Sequence, residues 1–159
     1  MKLQRKGMKR LLVLHMITAS IWLGSVVAMW AFAYILFFRS TQEEFMLVAH
    51  WLPTIYLTVV FPASVITVIE GLIYGFFTNW GFAKYRWILL KWVLAIMVGI
   101  ASMAGVVVQS RRIIDNIHQQ GFVGGFADGG LILGIITFQI IVLIIIIMVS
   151  VYKPKLKRK

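Results

Sequence analysis

The chain has 159 residues, 61% of them hydrophobic and 13% charged, with a mean hydropathy of +0.92 and no cysteine. That balance excludes a soluble globular domain of this size. The missing thiols exclude disulfides and thiolate metal centres, and they leave the redox compartment open.

Four apolar runs, about 11–38, 51–78, 87–109 and 131–152, each supply the roughly 20 helical residues that cross a bilayer, so residues 1–159 read as a single four-span membrane domain. The first run follows Lys2, Arg5, Lys6, Lys9 and Arg10. It is too long for the core of a signal peptide and no small-residue cleavage site closes it, so cleavage is not expected. At 100° per residue, His15, Thr18, Trp22, Ser25 and Met29 share one helical face. A loop over 40–50 with Glu43 and Glu44 is expected next. The second span has Pro53 near its start and Pro62 inside it. Pro62 lacks an N–H and should kink the helix. Its polar face carries Tyr56, Ala63, Thr67, Glu70 and Tyr74.

A short turn over 79–86 should force the second and third spans to be neighbours. The third span aligns Lys91, Ser102 and Gln109 and is expected to continue as helix through 111–117. The stretch 121–130 (GFVGGFADGG) reads as a mobile, glycine-rich connection. On the fourth span Thr137 and Gln139 point in nearly opposite directions and 140–149 is apolar all round. That helix should complete the wall without supplying a titrating group.

Twelve of the Lys and Arg residues fall on one side of this topology, and only Arg39, Arg111 and Arg112 fall on the other. Cytoplasmic loops collect such residues, which places both termini inside. The net charge of +11 is thereby explained by anionic lipid headgroups, and no nucleic-acid partner is expected. The expected fold is all-α, an integral membrane antiparallel four-helix bundle in the cell membrane. Trp51, Trp80, Tyr85, Trp87 and Tyr152 fall at the interfaces. The pairs Gly24 and Ala28, Gly71 and Gly75, Ala101 and Gly105, and Gly130 and Gly134 have the small-xxx-small spacing that lets helix backbones approach.

Three ionisable residues lie within the spans: His15, Glu70 and Lys91. A charged side chain at mid-membrane costs about 2.5–3.5 kcal/mol on insertion scales, so such groups face the bundle interior and mark function. All three fall in the cytoplasmic half. Two readings of Glu70 and Lys91 stand side by side: a structural ion pair, or a pocket in which Lys91 meets an anionic ligand and Glu70 handles protons. A third leaves Glu70 protonated and hydrogen-bonded. His15 is either a wetted side chain or an axial ligand of haem iron, with Ala19 leaving room for a flat ring. His50 and His118 lie at the outer side. Asp115 and His118 are spaced as half a metal site with no third ligand evident. His15 and His50 sit at opposite ends of the membrane, so both can ligate one haem only if two protomers share it. No phosphate-binding loop, nucleophile elbow or HExxH occurs, and no inverted repeat suggests a conventional secondary transporter.

LHMITASIWLGS (14–25) and YRWILLKWVLAIMVGIAS (85–102) resemble the first and third helices of the CopD-like and HemJ-like membrane families. There a His precedes Trp-x-Gly, and a Lys follows an aromatic at the inner boundary. The likeness covers about a third of the chain; residues 26–34 (VVAMWAFAY) and Glu70 fall outside it. HemJ-type proteins are protoporphyrinogen oxidases thought to bind haem, and their matching His and Lys carry over as His15 and Lys91. CopD-like proteins are associated with copper, for which this chain offers eight methionines. The resemblance implies a divergent member that binds haem or porphyrin in a redox role. His15 is then the metal ligand and Lys91 a propionate partner or second ligand, while the stripes themselves, outside the resemblance, suggest Trp22 and Tyr74 as ring neighbours and Glu70 as a proton-handling acid. A copper or small-solute transport component, or a non-catalytic assembly subunit, are the alternatives. Lipids and a homodimer or membrane redox partner are the expected associates.

Overall fold

A computed structural model describes residues 4–39, 41–77, 85–122 and 125–153, and they are almost entirely helical. Lys2, Lys84 and the basic tail beyond residue 153, used in the orientation argument, and Trp80, expected at an interface, lie outside the described residues. Helix α1 (Arg5–Arg39) is followed by α2 (Gln42–Ile55), which runs through a π-helical segment (Tyr56–Val60) into α3 (Phe61–Phe77). Helix α4 (Arg86–Ala101) likewise runs through a π-helical segment (Ser102–Val107) into α5 (Val108–Gln120), and α6 (Gly125–Tyr152) ends the fold. These make four rods long and apolar enough to cross a membrane, Arg5–Ile35, Gln42–Phe77, Arg86–Gln120 and Gly129–Tyr152. Large apolar side chains line the outside, with Ile100 65% and Phe76 71% exposed. A bilayer is the medium in which such a surface is stable.

The rods are longer than the expected spans, for identifiable reasons. Residues 42–50 are helix rather than loop, because Thr41 and Glu44 form a capping box: Glu44 N–H donates to Thr41 Oγ1, and Thr41 N–H donates to Glu44 Oε2 at 2.9 Å. Thr41→Ala should therefore lower helix stability by about 1 kcal/mol, read as a lower thermal midpoint of the detergent-solubilised protein. Helix α5 continues to Gln120 as expected. Gly121, at φ +86°, ends it by donating its N–H to Ile117 O, a backbone conformation that favours glycine. Most of the glycine-rich stretch then belongs to α6. The expected disturbance at Pro62 takes the form of the π segment just before it, where Phe61 N–H bonds five residues back to Tyr56 O. Widening that turn relieves the conflict between the proline ring and the carbonyl four residues earlier.

Packing departs from the expected order of neighbours. Helix α1 packs on both α3 and α6, and α4 packs on α6. At the far end α2 packs on α5, with Phe45 and Phe122 rings 5.3 Å apart and Ala49, Leu52, Ile113 and Ile117 buried. Helices α3 and α4 share almost no contact, although a short connection joins them. The second and third rods meet at the far end and diverge toward the end carrying Arg5, Lys6, Lys9, Arg10, Arg86 and Lys153, here called the basic end. There the buried face of α3 is taken up by α1. Among the small-xxx-small pairs, close approach occurs at Gly105, whereas a Cβ added at Gly24, Gly71 or Gly134 would meet nothing within 4 Å. Trp51 and Tyr152 are exposed as interface residues should be, but Trp87 is buried.

Candidate functional site

The site forms where α3 lays its polar face on α1 near the basic end. Helical spacing sets it up: Thr67, Glu70 and Tyr74 follow one another at three and four residues, as do His15, Thr18 and Trp22, so each set lies along one stripe. Glu70 is 3% exposed. Its Oε2 accepts a 2.7 Å hydrogen bond from the Thr18 hydroxyl and lies 3.2 Å from His15 Nδ1. With Glu70 ionised, Oε2 can only accept, and the His15 proton on this side then sits on Nδ1. His15 Nε2 is left without a protein partner among the described residues. Thr18 also reaches the carbonyls of Leu14 and His15 at 3.2 Å, which fixes its hydroxyl at the interface.

The second carboxylate oxygen, Glu70 Oε1, is buried with no hydrogen-bond partner among the described residues, and so is Trp22 Nε1 one helical stretch further along α1. Tyr74 closes the basic end of the cluster. Its ring stands edge-on to His15 at 6.2 Å and its hydroxyl donates to Met8 O at 3.3 Å, tying the start of α1 to α3. Thr67 is buried as well, its hydroxyl spent on its own helix at Ala63 O.

Lys91 is placed differently from the ion-pair reading. No salt bridge joins it to Glu70 among the described residues; the partner of Glu70 is His15. The cause is the divergence of α3 from α4, which carries the two residues to different walls. Lys91 is half-buried, its ammonium 5.9 Å from the centre of the Trp87 ring. It lies in electrostatic reach of His15 and of Lys153. Of the five candidate residues, then, His15, Glu70 and Tyr74 touch directly, Trp22 lines the same stripe, and Lys91 stands beside the group across the opening between α3 and α4.

Two buried polar residues carry a signal in the sequence, Thr18 within this cluster and Gln139 away from it. Thr18 shares the His15 stripe, and a hydroxyl three residues from a histidine is well set to share its partner, here Glu70 Oε2. Gln139, on the helix expected to complete the wall, is 1% exposed, with Nε2 unpaired among the described residues. Asp115 and His118 are both exposed on α5, and no group of three or more metal-ligating His, Cys, Asp or Glu residues occurs among the described residues. No protein-family model matches the chain, and neither a curated protein nor a solved structure matches it.

Proposed function

We propose that this is a multi-pass cell-membrane protein, an antiparallel four-helix bundle with both termini cytoplasmic, that binds haem or another porphyrin at its basic end and serves a redox reaction. The antiparallel arrangement is supported by contacts that bring the start of the first rod level with the end of the second, Tyr74 to Met8 and His15 to Glu70. The orientation rests on the one-sided distribution of Lys and Arg.

One observation carries the site: the imidazole of His15 is backed by a buried carboxylate on Nδ1 while Nε2 stays available. A ligating histidine characteristically gives its other N–H to a carboxylate, which fixes the tautomer and ring plane and raises the basicity of the ligating nitrogen. The donor set therefore fits an axial ligand, and bound there the group would supply one-electron chemistry. Thr18 and Glu70 hold the imidazole in place. Lys91, a half-buried cation with no salt bridge among the described residues, is suited to a propionate. Glu70 Oε1, buried and unpaired, is the atom at which this cluster would take up or release a proton.

The test is the absorption spectrum of the purified protein. A Soret band is expected in the parent protein, lost in His15→Ala and shifted but retained in Glu70→Gln. A folded, colourless parent protein after expression with ample haem would overturn the reading.

A further inference from the structure

A second set of polar groups is hidden in the middle of the bundle. Ser102 and Gln139 are each 1% exposed, and Ser102 Oγ and Gln139 Nε2 have no hydrogen-bond partner among the described residues. Register brings them together. The Cβ position of Gly105 falls against the Ile135 side chain. Ser102 and Gln139 lie one turn nearer the basic end than that contact, each on its own helix, and both face inward. Tyr56, 3% exposed, sets its hydroxyl beside the Ser102 side chain, though outside hydrogen-bonding geometry. Tyr56 and Ser102 are also the first residues of the two π-helical segments. A widened turn moves backbone carbonyls off their usual N–H partners, adding acceptors at this level.

We propose that Tyr56, Ser102 and Gln139 form a binding site for internal water, one molecule or a small group, in mid-membrane. A buried donor or acceptor left unpaired costs about 1–3 kcal/mol, and two such groups, Ser102 Oγ and Gln139 Nε2, converging on one level beside the Tyr56 hydroxyl are the setting in which a protein retains water with two to four partners. A cation does not suit the site. Gln139 presents an N–H to it, and the buried carboxylate of Glu70 is fourteen residues along the same rod from Tyr56, about 20 Å at 1.5 Å per residue. An apolar occupant would leave Ser102 Oγ and Gln139 Nε2 unpaired. The site is separate from the Glu70 cluster, since Val26, Ala63 and Val98, all buried, lie between the two levels.

The experiment is infrared difference spectroscopy on the full chain in lipid, comparing ordinary with oxygen-18 water, together with thermal midpoints. An isotope-sensitive band of internal water is expected in the parent protein, lost or shifted in both Ser102→Ala and Gln139→Met. The midpoint of Gln139→Met should fall by a few degrees, because a similar volume is kept while a water partner is removed. A dry site gives the opposite sign, since deleting an unpaired amide from an apolar core raises the midpoint, and that result overturns the proposal. So does strong coupling between the two substitutions without any isotope-sensitive band, which signifies a direct Ser102–Gln139 bond.

Discussion

Replacing Glu70 with alanine should lower the stability of the detergent-solubilised protein by about 2 kcal/mol, the largest effect of any single substitution in the polar cluster. Between membrane helices there is no hydrophobic force to speak of, so association depends on close packing and on hydrogen bonds that average about 0.6 kcal/mol and reach about 1.7. Glu70 supplies two of these to α1, from Thr18 at 2.7 Å and His15 at 3.2 Å, and its removal also empties a site that is 3% exposed. Thr18 is not stranded by the change, because its hydroxyl keeps the carbonyls of Leu14 and His15, which holds the loss near this figure. A double-mutant cycle assigns the energy: Glu70→Ala with Thr18→Ala should show coupling of about 1 kcal/mol, and Glu70→Ala with Lys91→Met close to none. Larger coupling to Lys91 than to Thr18 would restore the ion-pair reading and contradict the divergence of α3 from α4.

The parts of the fold legible in the sequence were those set by composition and by helical period. Runs of apolar residues mark the four rods because nothing else can satisfy a backbone in lipid, and the 100° period places His15 with Thr18 and Glu70 with Tyr74 whatever the neighbours turn out to be. What the sequence did not disclose was which stripe meets which. Chain proximity suggested that Glu70 would face Lys91 across the short 79–86 turn. The turn constrains only the ends of two rods, however, while Phe45, Leu52, Ile113 and Ile117 fix their contact at the far end and let the near ends part. The helix over 42–50 was hidden for a different reason: its TQEE start is a capping box, but the polar residues around it read as a loop when only apolar runs are sought. The inward face of the fourth span is not legible because Thr137 and Gln139 point in nearly opposite directions and 140–149 is apolar all round, so no period marks the side on which Gln139 is buried.

Gly105→Leu should be the most damaging change in the apolar core. Even a Cβ at this position would lie 2.6 Å from Ile135 Cγ2 and 2.7 Å from Cδ1, closer than carbon atoms approach, and a leucine adds three more carbons to a contact already closed. Overpacking of this kind costs about 1–3 kcal/mol, and the upper end applies here because Ile135 belongs to α6, the helix on which both α1 and α4 pack. Relief requires α6 to move away from the third rod, which forfeits van der Waals contact that lipid does not replace with any compensating force. The glycines that share the small-xxx-small spacing separate the spacing from the contact. Gly24→Ala, Gly71→Ala and Gly134→Ala meet open space and should be neutral or stabilising by up to about 1 kcal/mol, since alanine is the better helix former. In Gly105→Ala the loss should be recovered by Ile135→Ala, which vacates the colliding atoms. Thermal midpoints of this series in detergent provide the measurement. Equal effects at all four glycines, or failure of Ile135→Ala to rescue, would show that the approach of the third rod to α6 at Gly105 does not hold these helices together.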